Sequence, residues 1–335
     1  MPHDLRARLG RWETLTVVLL IGAVLYGAIT AGGFLSGQNL NSVLSDVAEI
    51  SLIALPMTLI IVAAEIDLSV ASILGLSSAL IGSLWNHNWP MEAIIPAVIV
   101  VGGLCGALNG FLVTRLGLPS LAVTIGTLAM FRGLAFVILG DAAVTDFPTS
   151  YLNLGQGSVA GTEIPNSTIL FVVLAVIFGV TLHRTAVGRS IFAIGANDEA
   201  ARFAGLRVKR IKFWLFVVSG AVAALAGVVF TMRFGSARGD NATGLELSVV
   251  ACVLLGGVSI FGGRGHLLGV IVAIFLLGAL RNALTLNDVS SDALTIVTGG
   301  LLLLSVLGPS ITARVREALR RRSAVPTTSP TTGTS

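Results

Sequence analysis

Ionisable and amide side chains are scarce in this chain of 335 residues, so each one set in or beside an apolar run invites a chemical reading. Glu65 and Asp67 flank Ile66 just before the apolar run that opens at Leu68. A carboxylate there meets the partial positive charge of a helix start, so the two acids are either caps or a site for a proton or small cation. Asp46 and Glu49 fall near the start of another run, where a carboxylate can stay hydrated without a partner. Arg132 and Arg281 are single bases inside runs, placed to snorkel toward headgroups, to pair with another helix, or to stand beside a solute path. Asn109, Asn282, Thr124, Thr127 and Thr298 could hydrogen-bond hydroxyl groups in transit or hold helices together. His3, His87, His183 and His266 are scattered without ligand spacing, which argues against a metal site. Cys105 and Cys252 read as small apolar fillers. No Gly-Lys-Ser/Thr phosphate loop occurs, so the chain has no means of binding ATP in that manner.

These groups must be positioned by a frame that is largely apolar. Hydrophobic residues make up 54% and charged ones 11%, against roughly 25% charged in soluble domains. Continuously apolar runs recur at 13–35, 42–64, 68–86, 92–114, 119–139, 168–183, 213–232, 245–261, 265–285 and 291–311. At about 1.5 Å per residue they suit helices across about 30 Å of hydrocarbon, and none alternates as a β-barrel strand would. The expectation is an all-α, polytopic membrane protein of about ten transmembrane helices. The first run follows Arg6, Arg8 and Arg11 and is read as a span rather than a cleaved leader.

Short loops rich in Lys and Arg stay in the cytoplasm. With both ends inside, every base but Arg132, Arg233, Arg238 and Arg281 falls on the cytoplasmic side. The expected organisation is a cytoplasmic N-terminus at 1–12, a transmembrane domain over 13–311, and a disordered cytoplasmic tail over 312–335. The turn at 65–67 is placed inside by parity alone. The exterior loop 140–167 carries Asp141, Asp146 and Glu163 without a base; it is either a connector or a docking or gating surface. The cytoplasmic loop 184–212 is a polar island.

A repeat runs through the chain. Ile66-Asp67-Leu68-Ser69-Val70 is echoed by Leu245-Glu246-Leu247-Ser248-Val249, Gly106-Ala107-Leu108-Asn109 by Gly278-Ala279-Leu280 and Asn282, and Ile125-Gly126-Thr127-Leu128 by Thr298-Gly299-Gly300-Leu301. The copies have opposite topology, as in transporters that place a path at the membrane centre. Asp67, Ser69, Asn109, Thr127, Arg132, Glu246, Ser248 and Asn282 are therefore candidates for the translocation path. Gly256-Gly257 and the following Gly262, Gly263 and Gly265 suit close packing or a broken helix.

Within the polar island, Asn197 or Asp198 is a good N-cap, Glu199 adds charge to the first turn, and Gly205 is a natural C′ residue. Residues 198–204 should form a helix of about two turns. Ala200, Phe203 and Ala204 share one face of it. Glu199-Ala200-Ala201, three residues, then Gly205 resembles the EAA-x3-G motif of ABC importer permeases, the coupling helix that seats in the ATPase subunit. The flanking "GRSIFAIGANDEAARFAGLRVKRIK", with "EIDLSVASILGLSSAL" and "VACVLLGGVSIFGGRG", is similar to the monosaccharide branch of that family, which includes ribose, xylose, rhamnose and autoinducer-2 permeases. "RFGSARGDNATGLELS" leans toward the rhamnose and autoinducer-2 members. The chain departs from the pattern in lacking a proline after the motif and in carrying Ala64-Glu65 where many members have Gly-Gly.

The resemblance implies a sugar permease that hydrolyses nothing and binds no cofactor itself. ATP and Mg would be used by an ABC ATPase subunit touching Asn197, Asp198, Glu199, Ala200, Ala201, Phe203 and Gly205. It further implies a second permease copy or paralogue, an extracytoplasmic sugar-binding protein, residence in a bacterial inner membrane, and no nucleic acid. The alternative from the residues alone is a secondary transporter driven by protons or sodium through Asp67 or Glu65.

Overall fold

The structure, a computed structural model, describes residues 11–290, 293–297, 299, 300 and 303. Thr298, most of the expected run 291–311 and the expected tail 312–335 lie outside the described residues, as do residues 1–10.

The described chain is helical. Arg11–Thr30 (α1) leads to Gly37–Asp46 (α2), whose N-cap Ser36 accepts from the Asn39 amide. Ala48–Val62 (α3) continues α2 with a 44° bend, where one apolar run of 42–64 was expected. Val70–Asn86 (α4), Met91–Thr114 (α5) and Ser120–Leu139 (α6) follow. Thr149–Gln156 (α7) lies within the loop 140–167, and Asn166–Arg184 (α8) returns across the bundle. Ala186–Ala196 (α9) and Asp198–Phe203 (α10) make up the polar island. Val208–Phe234 (α11), Leu245–Leu255 (α12) and Leu267–Leu286 (α13) complete the frame.

Five helices, α5, α6, α8, α11 and α13, are long and apolar enough to cross a membrane singly, and α2 with α3 makes a sixth as one bent span. Thr14–Thr30 of α1, and α4, α9 and α12, are shorter apolar stretches. The run 245–261 does not form one span: α12 stops at Leu255 after 11 residues, about 17 Å of rise. Gly256 ends it against Gly269 of α13, where a Cβ on Gly256 would lie 2.5 Å from Val270 Cα, and Gly257 turns the chain at φ +87°.

α3 is the centre of the bundle, with every residue but Ile50 buried. A helix apolar around its whole circumference must be enclosed, and α8, α11, α12 and α13 enclose it. The halves pack crosswise: α4 lies on α11 and α12 lies on α3. A close backbone approach joins α5 and α11, where Gly102 and Gly106 face Gly220 and Phe216. A Cβ on Gly106 would stand 2.1 Å from the Phe216 carbonyl oxygen, so only glycine permits this backbone contact.

Gly106→Leu should cost about 1–3 kcal/mol, because overpacking here meets backbone rather than a movable side chain. Thermal unfolding in detergent checks this: a lowered midpoint is expected, and an unchanged one would contradict the packing described.

Candidate functional site

Two polar groupings stand out, one inside the bundle and one at its end. The inner grouping forms where the chain breaks between α3 and α4. Ala64, itself exposed, takes a left-handed conformation at φ +60°, and residues 63–69 leave helix geometry with Ala63, Asp67 and Ser69 buried. Backbone groups exposed by such a break need partners. Ser120 Oγ accepts from the Ile66 amide at 3.2 Å, and Thr124 Oγ1 donates to the Ile66 carbonyl at 3.3 Å. Asp67 is fully buried; one carboxylate oxygen accepts from the Ser69 amide at 3.0 Å and hydroxyl at 2.6 Å, the other from Ser219 at 3.3 Å. Asn109 Nδ2 donates to Ser69 Oγ at 2.8 Å. Asp67 thus caps the entry to α4 through an Asx-type turn and ties it to α5 and α11, whereas Glu65 turns elsewhere.

The end grouping surrounds α10. Asn197 Oδ1 accepts from the Ala200 amide at 2.9 Å, the N-cap expected. Gly205, at φ +84°, ends the helix, and the Leu206 amide returns to the Ala201 carbonyl at 3.1 Å. Ala201 is buried among Ile194 and Val208, while Asp198, Glu199, Ala200 and Phe203 are exposed, Phe203 at 81%. Asp198 and Glu65 share one cation: Lys212 Nζ lies 2.7 Å from Glu65 Oε1 and 3.1 Å from Asp198 Oδ2. The turn at 65–67 therefore sits on the same end as the polar island. A cavity of about 330 Å³ opens beside this cluster, between α10 and the 113–120 segment.

The remaining sequence candidates do not join either grouping. Thr127 is buried on α6 and turns its hydroxyl to the Thr124 carbonyl. Arg132 does not snorkel: its guanidinium donates to the Gly239 and Asn241 carbonyls at 2.8 and 2.7 Å, in space that Gly75 leaves open. Glu246 is a partly exposed neighbour of Arg132 in the first turn of α12, and Ser248 is also partly exposed. Asn282 exchanges amide hydrogen bonds with Asn39 of α2 at 2.9 and 3.0 Å.

At the opposite end, sequence reading took Asp46 and Glu49 as acids without need of a partner, and the structure differs. Arg233, in the last turn of α11, lies 2.9 Å from Glu49 and 3.0 Å from Asp46. Glu49 is 1% exposed, and a carboxylate so enclosed must be paired. The loop 140–167 is stitched to this end. Val144 pairs with Ala237, Trp85 Nε1 donates to the Asp146 carbonyl at 2.7 Å, and Asn41 donates to the Glu163 carbonyl at 2.8 Å. Lys212 was legible in principle, since Val208, Lys212, Phe216 and Ser219 share one helical stripe with the buried face of α11.

The bundle, with its long apolar helices, is that of a multi-pass membrane protein. Residues 39–306 match the family described as "Branched-chain amino acid transport system / permease component", and the chain belongs to that family. Its relatives include the autoinducer 2 import system permease protein LsrD of Yersinia enterocolitica, 32% identical over 320 residues, covering 93% of this chain and 96% of that protein. The protein of the same name from Photorhabdus luminescens is 33% identical, covering 92% and 95%. No solved structure matches.

Arg233→Met should destabilise the fold by about 3–5 kcal/mol by leaving Glu49 charged and enclosed, whereas Arg233→Met with Glu49→Leu should restore most of the loss. Thermal unfolding of the single and double variants checks this; equal losses in both would contradict a buried pair at this end.

Proposed function

We propose that this chain is the membrane-spanning subunit of an ATP-driven importer for a sugar-like solute, autoinducer 2 or rhamnose in type, with ribose or xylose types as near neighbours. A separate ABC ATPase subunit binds ATP and Mg and grips α10; this chain holds no catalytic residue of its own. The single observation that carries the reading is the build of α10: a helix of six residues, capped at both ends, held by Ala201 and presenting Glu199, Ala200 and Phe203 outward. So short a helix is not stable by propensity, so its order comes from packing, which suits a part that receives force.

The bases around α10 favour the cytoplasmic side of a bacterial inner membrane under the positive-inside rule. The opposite end, with the stitched 140–167 segment, then faces outward and receives a soluble solute-binding protein. A second permease copy or paralogue completes the path between two bundles. The bonds of Asp67 to Ser69 and Ser219 suit a structural part in the turn before α4.

Glu199→Arg and Gly205→Leu test the assignment in proteoliposomes holding the ATPase subunit and the binding protein. Autoinducer 2 uptake per ATP hydrolysed should fall by about tenfold or more, the scale of a typical coupling energy, while insertion and helix content are retained. Uptake at the unmodified ratio in both variants would refute α10 as the coupling element.

A further inference from the structure

The ATPase-coupling reading leaves open how movement of so small a stub reaches the membrane-embedded part. We propose that Lys212 is the positioning residue that carries it, through the bridge Asp198–Lys212–Glu65. This rests on the reading of α10 given above.

Three observations support the bridge. First, it is a polar contact between α10 and the bundle, beside the apolar seat of Ala201 and on the wall of the 330 Å³ cavity between α10 and the 113–120 segment. Glu65, Asp198 and Lys212 themselves line that cavity, so the tether has open space beside it in which to shift. Second, the far end of the bridge is the α3–α4 break. Glu65 immediately precedes Ile66 and Asp67, whose bonds to Ser120, Thr124, Ser69 and Ser219 and onward to Asn109 bind α4, α5, α6 and α11 at one level. A displacement of Glu65 is therefore shared among four helices through polar contacts of 2.6–3.3 Å as well as through apolar packing.

Third, the arrangement is repeated at the other end of α11. There Arg233 holds one enclosed carboxylate, Glu49, and one largely exposed carboxylate, Asp46 at 60%, as Lys212 holds Glu65 at 13% and Asp198 at 57%. Antiparallel α3 and α11 are thus riveted at both ends by an enclosed ion pair. Each rivet extends to a more exposed acid on a peripheral helix, α10 at one end and α2 at the other. The enclosed pair fixes the strut, and the exposed acid is the exchangeable contact that a partner's pull can break and remake.

A charge exchange separates this role from a purely structural one. Lys212→Glu with Glu65→Lys keeps the enclosed pair and turns the Asp198 contact into repulsion; adding Asp198→Lys restores attraction. In proteoliposomes with the ATPase subunit and binding protein, autoinducer 2 taken up per ATP hydrolysed should drop about tenfold in the double variant and recover in the triple, the span of a typical coupling energy. Melting temperatures of both should stay close to the unmodified protein. Asp198→Asn, at an exposed position, should show the same loss and serves where the exchange variants do not fold. A normal ratio in the double variant or in Asp198→Asn, or no recovery in a folded triple variant, overturns the role of Lys212. Absence of ATP-dependent uptake by the unmodified complex would instead overturn the coupling reading beneath it.

Discussion

The constraint on which the rest depends is the break between α3 and α4 inside an apolar bundle. Where the backbone leaves helix geometry away from water, each freed amide and carbonyl must find a donor or acceptor within the protein. The chain meets this demand with α6 hydroxyls, the Asp67 carboxylate and the Ile60 carbonyl, and side chains of α5 and α11 then hold the side chains of the turn. Ser120 and Thr124 of α6 take the Ile66 backbone, Asn109 of α5 takes Ser69, and Ser219 of α11 takes Asp67. The break is thereby the point where four membrane helices are held in register, and any conformational change in the bundle has to move it or pivot about it.

Around that point Glu65 and Glu49 are each paired with a base, whereas Asp67 is held by hydroxyl and amide donors alone. α11 carries a base near each end, and each base finds acids that flank α3: Glu49 in its first turn and Glu65 just past its last. Glu49 also meets the favourable end of the α3 helix dipole. Such pairs add little net stability over apolar packing, but they are intolerant of losing one member. They fix which helices lie side by side, and they leave Asp46 and Asp198 as exposed third members at the two ends.

Much of this was legible in the sequence because membrane helices announce themselves by apolar length. The stub was legible in more detail: Asn197 and Gly205 bracket an expected helix of 198–204, and α10 spans Asp198–Phe203. Local pattern could not show the 44° bend at Val47, since both sides of it are equally apolar. Nor could it show that 245–261 ends early, because the Gly256 stop depends on contact with Gly269. α9 lay in a segment read as loop; its apolar face is answered by packing on α8, α10, α3 and α11, which the sequence alone does not display. The ion clusters were missed for a different reason: Glu65 and Lys212, like Glu49 and Arg233, are brought together only by the fold. The path residues were chosen by repeat position, and repeat position does not determine neighbours, as Asn109 with Ser69 and Asn282 with Asn39 make plain.

The central claim is that energy enters this protein from outside, through α10. Proteoliposomes containing this chain alone, given autoinducer 2 under an imposed proton or sodium gradient, test it most directly. The account predicts no accumulation above equilibrium until an ABC ATPase subunit, its solute-binding protein and ATP are supplied. Gradient-driven accumulation by the chain alone, abolished in Asp67→Asn, would contradict it.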